Sequence, residues 1–200
     1  MLQLAYSRTT PSMPELLNNP VEDDYALLSR IAMGDTAAFE AFYKAYYPRL
    51  FRFILRMTQQ PDMVEELIQE TLLVVWEKPD HFNHTSKLST WVFGIAYHKA
   101  LKLISKNGRN QHDMDDWLEQ IDDPNANPAL NSENQDWLNY ALSSLSAEHR
   151  AVIELTFYHD LSYQEISRIL DCPENTVKTR MFHARKKLQL IAAQSGEPRL

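Results

Sequence analysis

The residues with the clearest chemistry in this 200-residue chain are basic and lie near its C-terminus. From Asn175 to Gly196 there is no Asp or Glu. Lysines and arginines on a helix can contact DNA phosphates, and the first turns of that helix can reach base edges in the major groove. The side chains suited to this are Thr176, Lys178, Thr179, Arg180, Phe182, His183, Arg185, Lys186 and Lys187. They predict DNA recognition, although a solvated basic surface is the alternative.

The elements that must position these side chains are two short helices joined by a turn. Ser162 and Glu165 have the spacing of a capping box, which starts a helix near Tyr163. Pro173 is tolerated only at the start of the next helix, so residues 171–173 form the turn. The second helix carries one apolar stripe of Val177, Met181, Ala184, Leu188 and Ile191. This pattern is typical of a helix-turn-helix whose basic face points outward.

A second candidate nucleic-acid site lies between residues 78 and 112. A loop over residues 78–90 contains Phe82, Asn83 and His84, and basic residues occur without acidic ones from Lys87 onward. Aromatic rings can stack on unpaired bases while cations hold the backbone, so this segment suits single-stranded DNA. Trp91 is explained equally well as a core residue and as a DNA-facing one.

A third surface is acidic and lies on a helix predicted to begin at Pro61. The predicted buried face of this helix consists of Val64, Leu67, Ile68, Thr71, Leu72 and Val75. Its opposite face carries Glu66, Gln69 and Glu70. By itself, that face indicates only a helix side exposed to water.

The patterns predict an all-α protein with two small helical domains at residues 23–107 and 135–194, because no segment alternates with period two. Residues 1–22 contain three prolines among polar residues and are predicted to be a mobile tail. Residues 108–134 are rich in Asp and Glu and are predicted to be a flexible linker, since such a composition buries little surface.

Composition argues against several classes of function. The net charge is -7, so any DNA binding must come from local patches. The one cysteine, Cys172, suits a reducing cytosol. No run is long enough for a membrane span, and four glycines provide no phosphate-binding loop. His81 and His84 have no cysteine nearby to complete a metal site. We therefore expect no catalytic residues, metal, cofactor, small-molecule substrate or membrane insertion.

Three stretches resemble the extracytoplasmic-function group of sigma factors in the sigma-70 family. They are Leu161–Ile166 together with Thr176–Arg185, the segment around Glu66, Gln69 and Glu70, and Thr90–Ala96. The chain departs from the family's usual residues at His98, Lys102, Ser105, Asn175 and His183. The resemblance covers residues 23 to 193 and implies an RNA polymerase sigma factor that directs promoter-specific initiation and is not an enzyme.

The resemblance also implies roles for individual residues. The first domain corresponds to sigma region 2 and the second to sigma region 4. Residues implied to bind the -35 element are Thr176, Lys178, Thr179, Arg180, Phe182, His183, Arg185 and Lys186, with Lys178, Thr179, Phe182 and His183 as base readers and Arg180 and Arg185 on phosphates. Residues implied to bind the melted -10 element are Phe82, Asn83, His84, Trp91, His98, Lys99 and Lys102. Glu66, Gln69 and Glu70 are implied to bind core polymerase.

The implied partners are core RNA polymerase, promoter DNA and an anti-sigma factor, and the implied location is the cytoplasm. Two alternatives remain from the residues alone. A stand-alone helix-turn-helix regulator would leave the acidic face and the Trp91 helix without a role. A sigma-like decoy that binds an anti-sigma factor would not need Lys178, Arg180 and Arg185.

Overall fold

The computed structural model describes residues 24–107 and 132–195, which form eight α-helices and no strand. The predicted N-terminal tail and most of the predicted linker lie outside the described residues. The helices are α1 (Asp24–Ala32), α2 (Thr36–Thr58), α3 (Pro61–Glu77), α4 (Leu88–Asn107), α5 (Ser132–Ser143), α6 (Ala147–Phe157), α7 (Tyr163–Ile169) and α8 (Glu174–Ser195). A 3-10 turn, Pro79–His81, precedes α4. The all-α prediction is confirmed.

Local sequence signals explain most helix starts. Gly34 adopts φ of +80°, and the Asp35 carboxylate then accepts hydrogen bonds from the amides of Ala37 and Ala38 to cap α2. α3 begins with Pro61, whose missing amide is not needed at the first helical position. α2 continues through Pro48 without ending.

The first bundle consists of α1 to α4 around an aromatic and aliphatic core. α2 supplies Phe42, Leu50 and Phe53, which are fully buried. All six residues predicted for the inner face of α3 are buried, as the helical spacing required. The side of α3 that carries Glu66, Gln69 and Glu70 stays exposed.

The second bundle consists of α5 to α8. The capping box of α7 is present: the Ser162 hydroxyl accepts from the Glu165 amide, and the Glu165 carboxylate accepts from the Ser162 amide at 2.9 Å. Asp171 adopts φ of +48° in the turn to α8. The predicted stripe of α8 faces inward, with Ile191 partly buried and the others buried. The α5 helix begins three residues before the predicted domain boundary.

The two bundles share a buried interface, which the sequence did not predict. α2 packs against α6, and α4 packs against α7, where Gly94 lies beside the backbone of Ile169. Phe53 and Phe93 are fully buried, and both rings meet His159 from the second bundle. α2 and α4 thus carry more apolar side chains than the first bundle alone can bury, and the second bundle buries the remainder.

Polar contacts also join the bundles. Arg56 donates to the Glu154 carboxylate at 3.2 Å, and both side chains are largely buried. Arg150 is 3% exposed and donates to the Met57 carbonyl at 2.9 Å. The two predicted domains therefore pack against each other in this conformation, while the exposed side chains on the basic face of α8 stay outside the interface.

Candidate nucleic-acid interface

The outer face of α8 is open to solvent. Lys178, Thr179, Phe182, His183, Arg185 and Lys186 are all exposed. Phe182 is 63% exposed, which leaves its ring accessible to a partner. A shallow groove between α7 and α8 runs from Tyr163 to Phe182 and Lys186. The geometry brings these predicted residues together on one face.

Two of the predicted α8 residues are less exposed than the others. Thr176 is half-buried, and Arg180 is half-buried with its guanidinium 3.8 Å from the Cys172 sulfur. Arg180 also faces Tyr97 of α4. Burial raises the pKa of Tyr97, and the nearby Arg180 guanidinium opposes that rise. In this conformation Arg180 therefore joins α8 to α4, and its predicted phosphate contact requires the side chain to turn outward.

The exposed cations have weak partners that DNA could replace. Lys178 pairs with Glu174 at 2.9 Å, but both side chains are about half exposed, so the pair adds little stability. The Arg185 guanidinium lies 5.3 Å from the centre of the Phe157 ring. Neither contact is buried enough to keep the cation from a phosphate.

The loop before α4 presents a polar tip above a buried ring. Asn83, His84 and Thr85 are exposed, and the Asn83 side chain accepts from the amide and hydroxyl of Thr85. Phe82 is only 2% exposed because it packs against His84 and Trp91. In this conformation the Phe82 ring supports the loop from below, and its contact with the -10 element stays a prediction.

The basic side of α4 is mostly accessible. His98 and Lys102 are exposed, and Trp91 is half-buried. Lys99 pairs with Glu70 of α3 at 2.8 Å. Lys99, which is predicted to contact DNA, thus neutralises Glu70, which is predicted to contact polymerase. Within the described residues, the side chains of Glu66 and Gln69 make no hydrogen bond or ion pair.

Sequence reasoning missed one residue of the acidic face. Leu73 is 51% exposed and lies seven positions after Glu66 and four after Gln69, which places all three on one side of α3. The signal was present in the spacing, because Leu73 falls outside the buried stripe that contains Leu72.

The helix-turn-helix touches the loop in this conformation. Lys87 pairs with Glu165 of α7 at 2.7 Å, and Arg168 of α7 donates to the Thr85 carbonyl at 3.1 Å. Burial opposes ionisation of Glu165, but Lys87 and Ser162 outweigh it and lower the pKa of that carboxyl. These two contacts therefore join the helix-turn-helix directly to the loop before α4.

Within residues 24–107 and 132–195, no cluster of three His, Cys, Asp or Glu side chains could hold a metal ion. In the same segments, no helix is long and apolar enough to cross a membrane. The surfaces described above can bind polyanions and proteins through charge and stacking.

Two sequence families match the chain. Residues 42–110 match Sigma-70 region 2, and residues 135–188 match Sigma-70, region 4. The ECF RNA polymerase sigma factor SigL of Mycobacterium tuberculosis is 32% identical over 179 residues, covering 87% of this chain and 99% of the relative. The ECF RNA polymerase sigma-E factor of Haemophilus influenzae is 26% identical, covering 83% and 93%.

Solved structures show the same arrangement of helices. The sigma factor RpoE of Bartonella quintana, in complex with the anti-sigma factor NepR, matches with a TM-score of 0.62 and 30% identity, covering 78% of this chain and 96% of that one. CnrH, in complex with the cytosolic domain of CnrY, matches with a TM-score of 0.64 and 20% identity, covering 86% and 97%. The second likeness concerns the fold alone.

Proposed function

The chain belongs to the extracytoplasmic-function group of the sigma-70 family, and from this membership we propose how its surfaces divide the work of transcription initiation. As an RNA polymerase sigma factor, it binds core RNA polymerase and promoter DNA and directs promoter-specific initiation. We assign residues 23–107 to the melted -10 element and core polymerase, and residues 135–194 to the -35 element. The site of action is the cytoplasm, where polymerase and chromosome meet.

The proposal for the -35 element rests on the exposed outer face of α8. Its first turns present Lys178, Thr179, Phe182 and His183 together, in a helix held by a capped partner. A helix of this kind fits the major groove, where side chains can bond base edges and Phe182 can contact a thymine methyl group. Arg185 and Lys186 lie further along and suit phosphates.

For the melted -10 element, the exposed ring of His84 and the amide of Asn83 lie at the loop tip, next to the basic side of α4. A displaced base can stack on an aromatic ring while Lys102 and Lys99 neutralise its backbone. Lys99 reaches DNA by leaving Glu70, because their exposed pair is weak.

For core polymerase, the acidic face of α3 suits a basic partner surface, with Leu73 supplying an apolar contact beside Glu66 and Gln69. An anti-sigma factor is a further proposed partner, since the Bartonella relative was solved with one. Such a partner would compete with polymerase or DNA for these surfaces.

Reading both elements requires the two domains to separate. The elements are centred about 25 base pairs apart, which is roughly 85 Å along B-DNA. A compact chain of this length has a radius of gyration of roughly 16 Å. The packed arrangement of α2 on α6 and α4 on α7 therefore represents a closed state, and the initiating state is open.

The test is run-off transcription with core RNA polymerase and a pool of genomic promoters. The wild-type chain should direct initiation at a specific subset, and polymerase without it should not. Replacing Lys178 and Phe182 by Ala should reduce initiation by at least about tenfold, since each base contact is worth roughly 1 to 3 kcal/mol.

The matched controls are Lys44→Ala and Tyr140→Ala. Lys44 is an exposed lysine paired with Glu40, as Lys178 is with Glu174, and Tyr140 is an exposed aromatic like Phe182. Both controls should initiate normally. Undiminished initiation by the Lys178 and Phe182 double variant would show that the recognition face lies elsewhere, and DNA binding without any need for polymerase would favour a stand-alone regulator.

A further inference from the structure

The loop before α4 is supported from outside by the first helix. The ring of Tyr25, in α1, stacks on the ring of His84 with 5.4 Å between centroids and 25° between planes. It also lies 5.8 Å from the Phe82 ring. The Tyr25 hydroxyl donates to the Ser86 carbonyl at 3.5 Å, so one side chain spans the loop from Phe82 to Ser86.

The backbone of His84 turns sharply at the loop tip. Its φ is +57°, in the left-handed region that residues other than glycine adopt uncommonly. Asn83 turns the chain by accepting from the Thr85 amide and hydroxyl, but these bonds hold the backbone and leave the imidazole free to rotate. The His84 ring contacts the rings of Tyr25 and Phe82.

These contacts form one series of rings. Trp91 packs on Phe82 with centroids 5.5 Å apart, Phe82 packs on His84 at 4.7 Å, and Tyr25 rests on both Phe82 and His84. Trp91 belongs to α4, and Phe82 is buried, so the series leads from a rigid helix to the exposed loop tip. Preorganised rings bind a base better than mobile ones, since less motion is lost on binding.

Tyr25 is not among the buried side chains of α1. Those are Leu27, Leu28 and Ile31, on the inner side of the helix. Tyr25 is 41% exposed. Its contacts with Phe82, His84 and Ser86 place its ring over the loop.

We propose that Tyr25 is a positioning residue for the -10 element: it holds the His84 ring in the orientation that stacks on an unpaired base of the melted strand. The inference rests on the proposed role of the loop. Tyr25 acts through His84 and does not itself recognise the sequence. The stacking of its ring, more than its hydroxyl, performs this task.

The experiment uses the full chain with core polymerase on a promoter that the wild-type holoenzyme transcribes. Permanganate reactivity of unpaired thymines reports opening at the -10 element, and nuclease protection reports contact at the -35 element. Tyr25→Ala should reduce the open-complex signal by about tenfold or more, in line with the loss of one base stack. Protection of the -35 element should be unchanged.

The double variant Tyr25→Ala/His84→Ala separates positioning from simple loss of stability. If Tyr25 acts through His84, the double variant should be no weaker than His84→Ala alone. Tyr25→Phe should behave as wild type because it keeps the ring. Tyr25→Leu, which keeps apolar bulk without a planar ring, should resemble Tyr25→Ala, and Tyr140→Ala is the control for removal of an exposed tyrosine.

Several results would overturn the inference: additive losses in the double variant, a wild-type signal from Tyr25→Ala, or an equal loss at the -35 element. A wild-type chain that directs initiation while Tyr25→Ala is unaffected contradicts the role of Tyr25 alone. A wild-type chain that directs no initiation at any promoter contradicts the proposed function instead.

Discussion

The buried pair between Arg56 and Glu154 should control the stability of the closed state. The two atoms joined are an Arg56 guanidinium nitrogen and a Glu154 carboxylate oxygen, 3.2 Å apart, and the side chains are 17% and 3% exposed. The other carboxylate oxygen of Glu154 is buried, has no hydrogen-bond partner among the described residues and lies 3.9 Å from His159. Arg56→Met therefore leaves a buried carboxylate without its hydrogen-bonded cation.

The expected magnitude follows from desolvation. Removing one member of a buried pair costs about 3 to 5 kcal/mol, whereas replacing both members by apolar groups is often nearly neutral. Arg56→Met should lower the free energy of unfolding by about 3 kcal/mol at about pH 8, and adding Glu154→Leu should restore most of it. Arg56 also lies 4.1 Å from the Tyr158 ring. Arg52→Met removes a cation from the same ring and a more distant charge from Glu154 but leaves the pair intact, so it is the matched control and should cost about 1 kcal/mol.

The direction in which the free energy of unfolding changes with pH distinguishes a buried carboxylate that has lost its cation from a simple loss of packing. Burial raises the pKa of Glu154 to about 7, and Arg56 and Arg52 oppose that rise. A raised carboxyl pKa means that the folded state binds the proton more tightly, so Glu154 lowers stability as pH rises toward 7 and adds no slope above it. Without Arg56 the pKa rises further, so Arg56→Met should continue to lose stability above about pH 7, by at most about 1.4 kcal/mol per pH unit.

The titration of His159 does not change the stability in the pH range where the Arg56 and Glu154 pair is tested. Burial and the nearby Arg49, Arg52 and Arg56 lower the pKa of His159 to about 3, so the imidazole is neutral when folded, and its destabilising effect appears only as pH falls below about 6.5. Urea unfolding between about pH 7 and about pH 9, followed by tryptophan fluorescence and circular dichroism, measures the effect. Equal slopes for wild type and Arg56→Met, or additive losses in the Arg56 and Glu154 double variant, would refute the reasoning.

Two further predictions concern the helix-turn-helix and its contact with α4. Gly94 lies against the Ile169 backbone, so a disulfide formed by Gly94→Cys and Ile169→Cys in a Cys172→Ser background should hold the two domains closed. Initiation should then be abolished until a reductant is added. Activity under oxidising conditions, with the disulfide formed, would contradict the need for an open state. Ser162→Ala should lower the free energy of unfolding by about 1 kcal/mol, since it removes the cap of α7, and Ser162→Thr should not; thermal unfolding would show the difference.

Local signals predicted most of the fold. The capping box at Ser162, the cap at Ser146 and Pro61 placed helix starts within a residue or two of those observed. Helical spacing separated the buried stripe of α8 from its exposed basic face, because that face has no second layer of protein upon it. For the same reason the exposure of Lys178 and Phe182 was predictable.

The interface between domains was not predictable, for a physical reason. Phe53 and Phe93 are apolar at positions that a single bundle would also bury, so their sequence does not say which bundle covers them. Nothing in the sequence marks His159 and Glu154 as buried, since ionisable groups are rarely buried without a partner. The stacking of Tyr25 on Phe82 and His84 was likewise not predictable, because ring contacts between α1 and a loop leave no periodic pattern.

The composition of the interface explains how a closed state can also open. A purely apolar interface would approach the stability of a domain core, whereas this one places Arg56, Glu154 and Arg150 among its buried groups. A buried ion pair contributes little net stability relative to apolar packing, since desolvation offsets attraction, but it penalises imperfect alignment. On opening, Arg56 and Glu154 regain water, which offsets part of the cost of exposing Phe53 and Phe93. Binding to core polymerase and to both promoter elements must supply the remainder, so the apolar variant Arg56→Met/Glu154→Leu, which should keep most of the wild-type stability, should initiate more slowly.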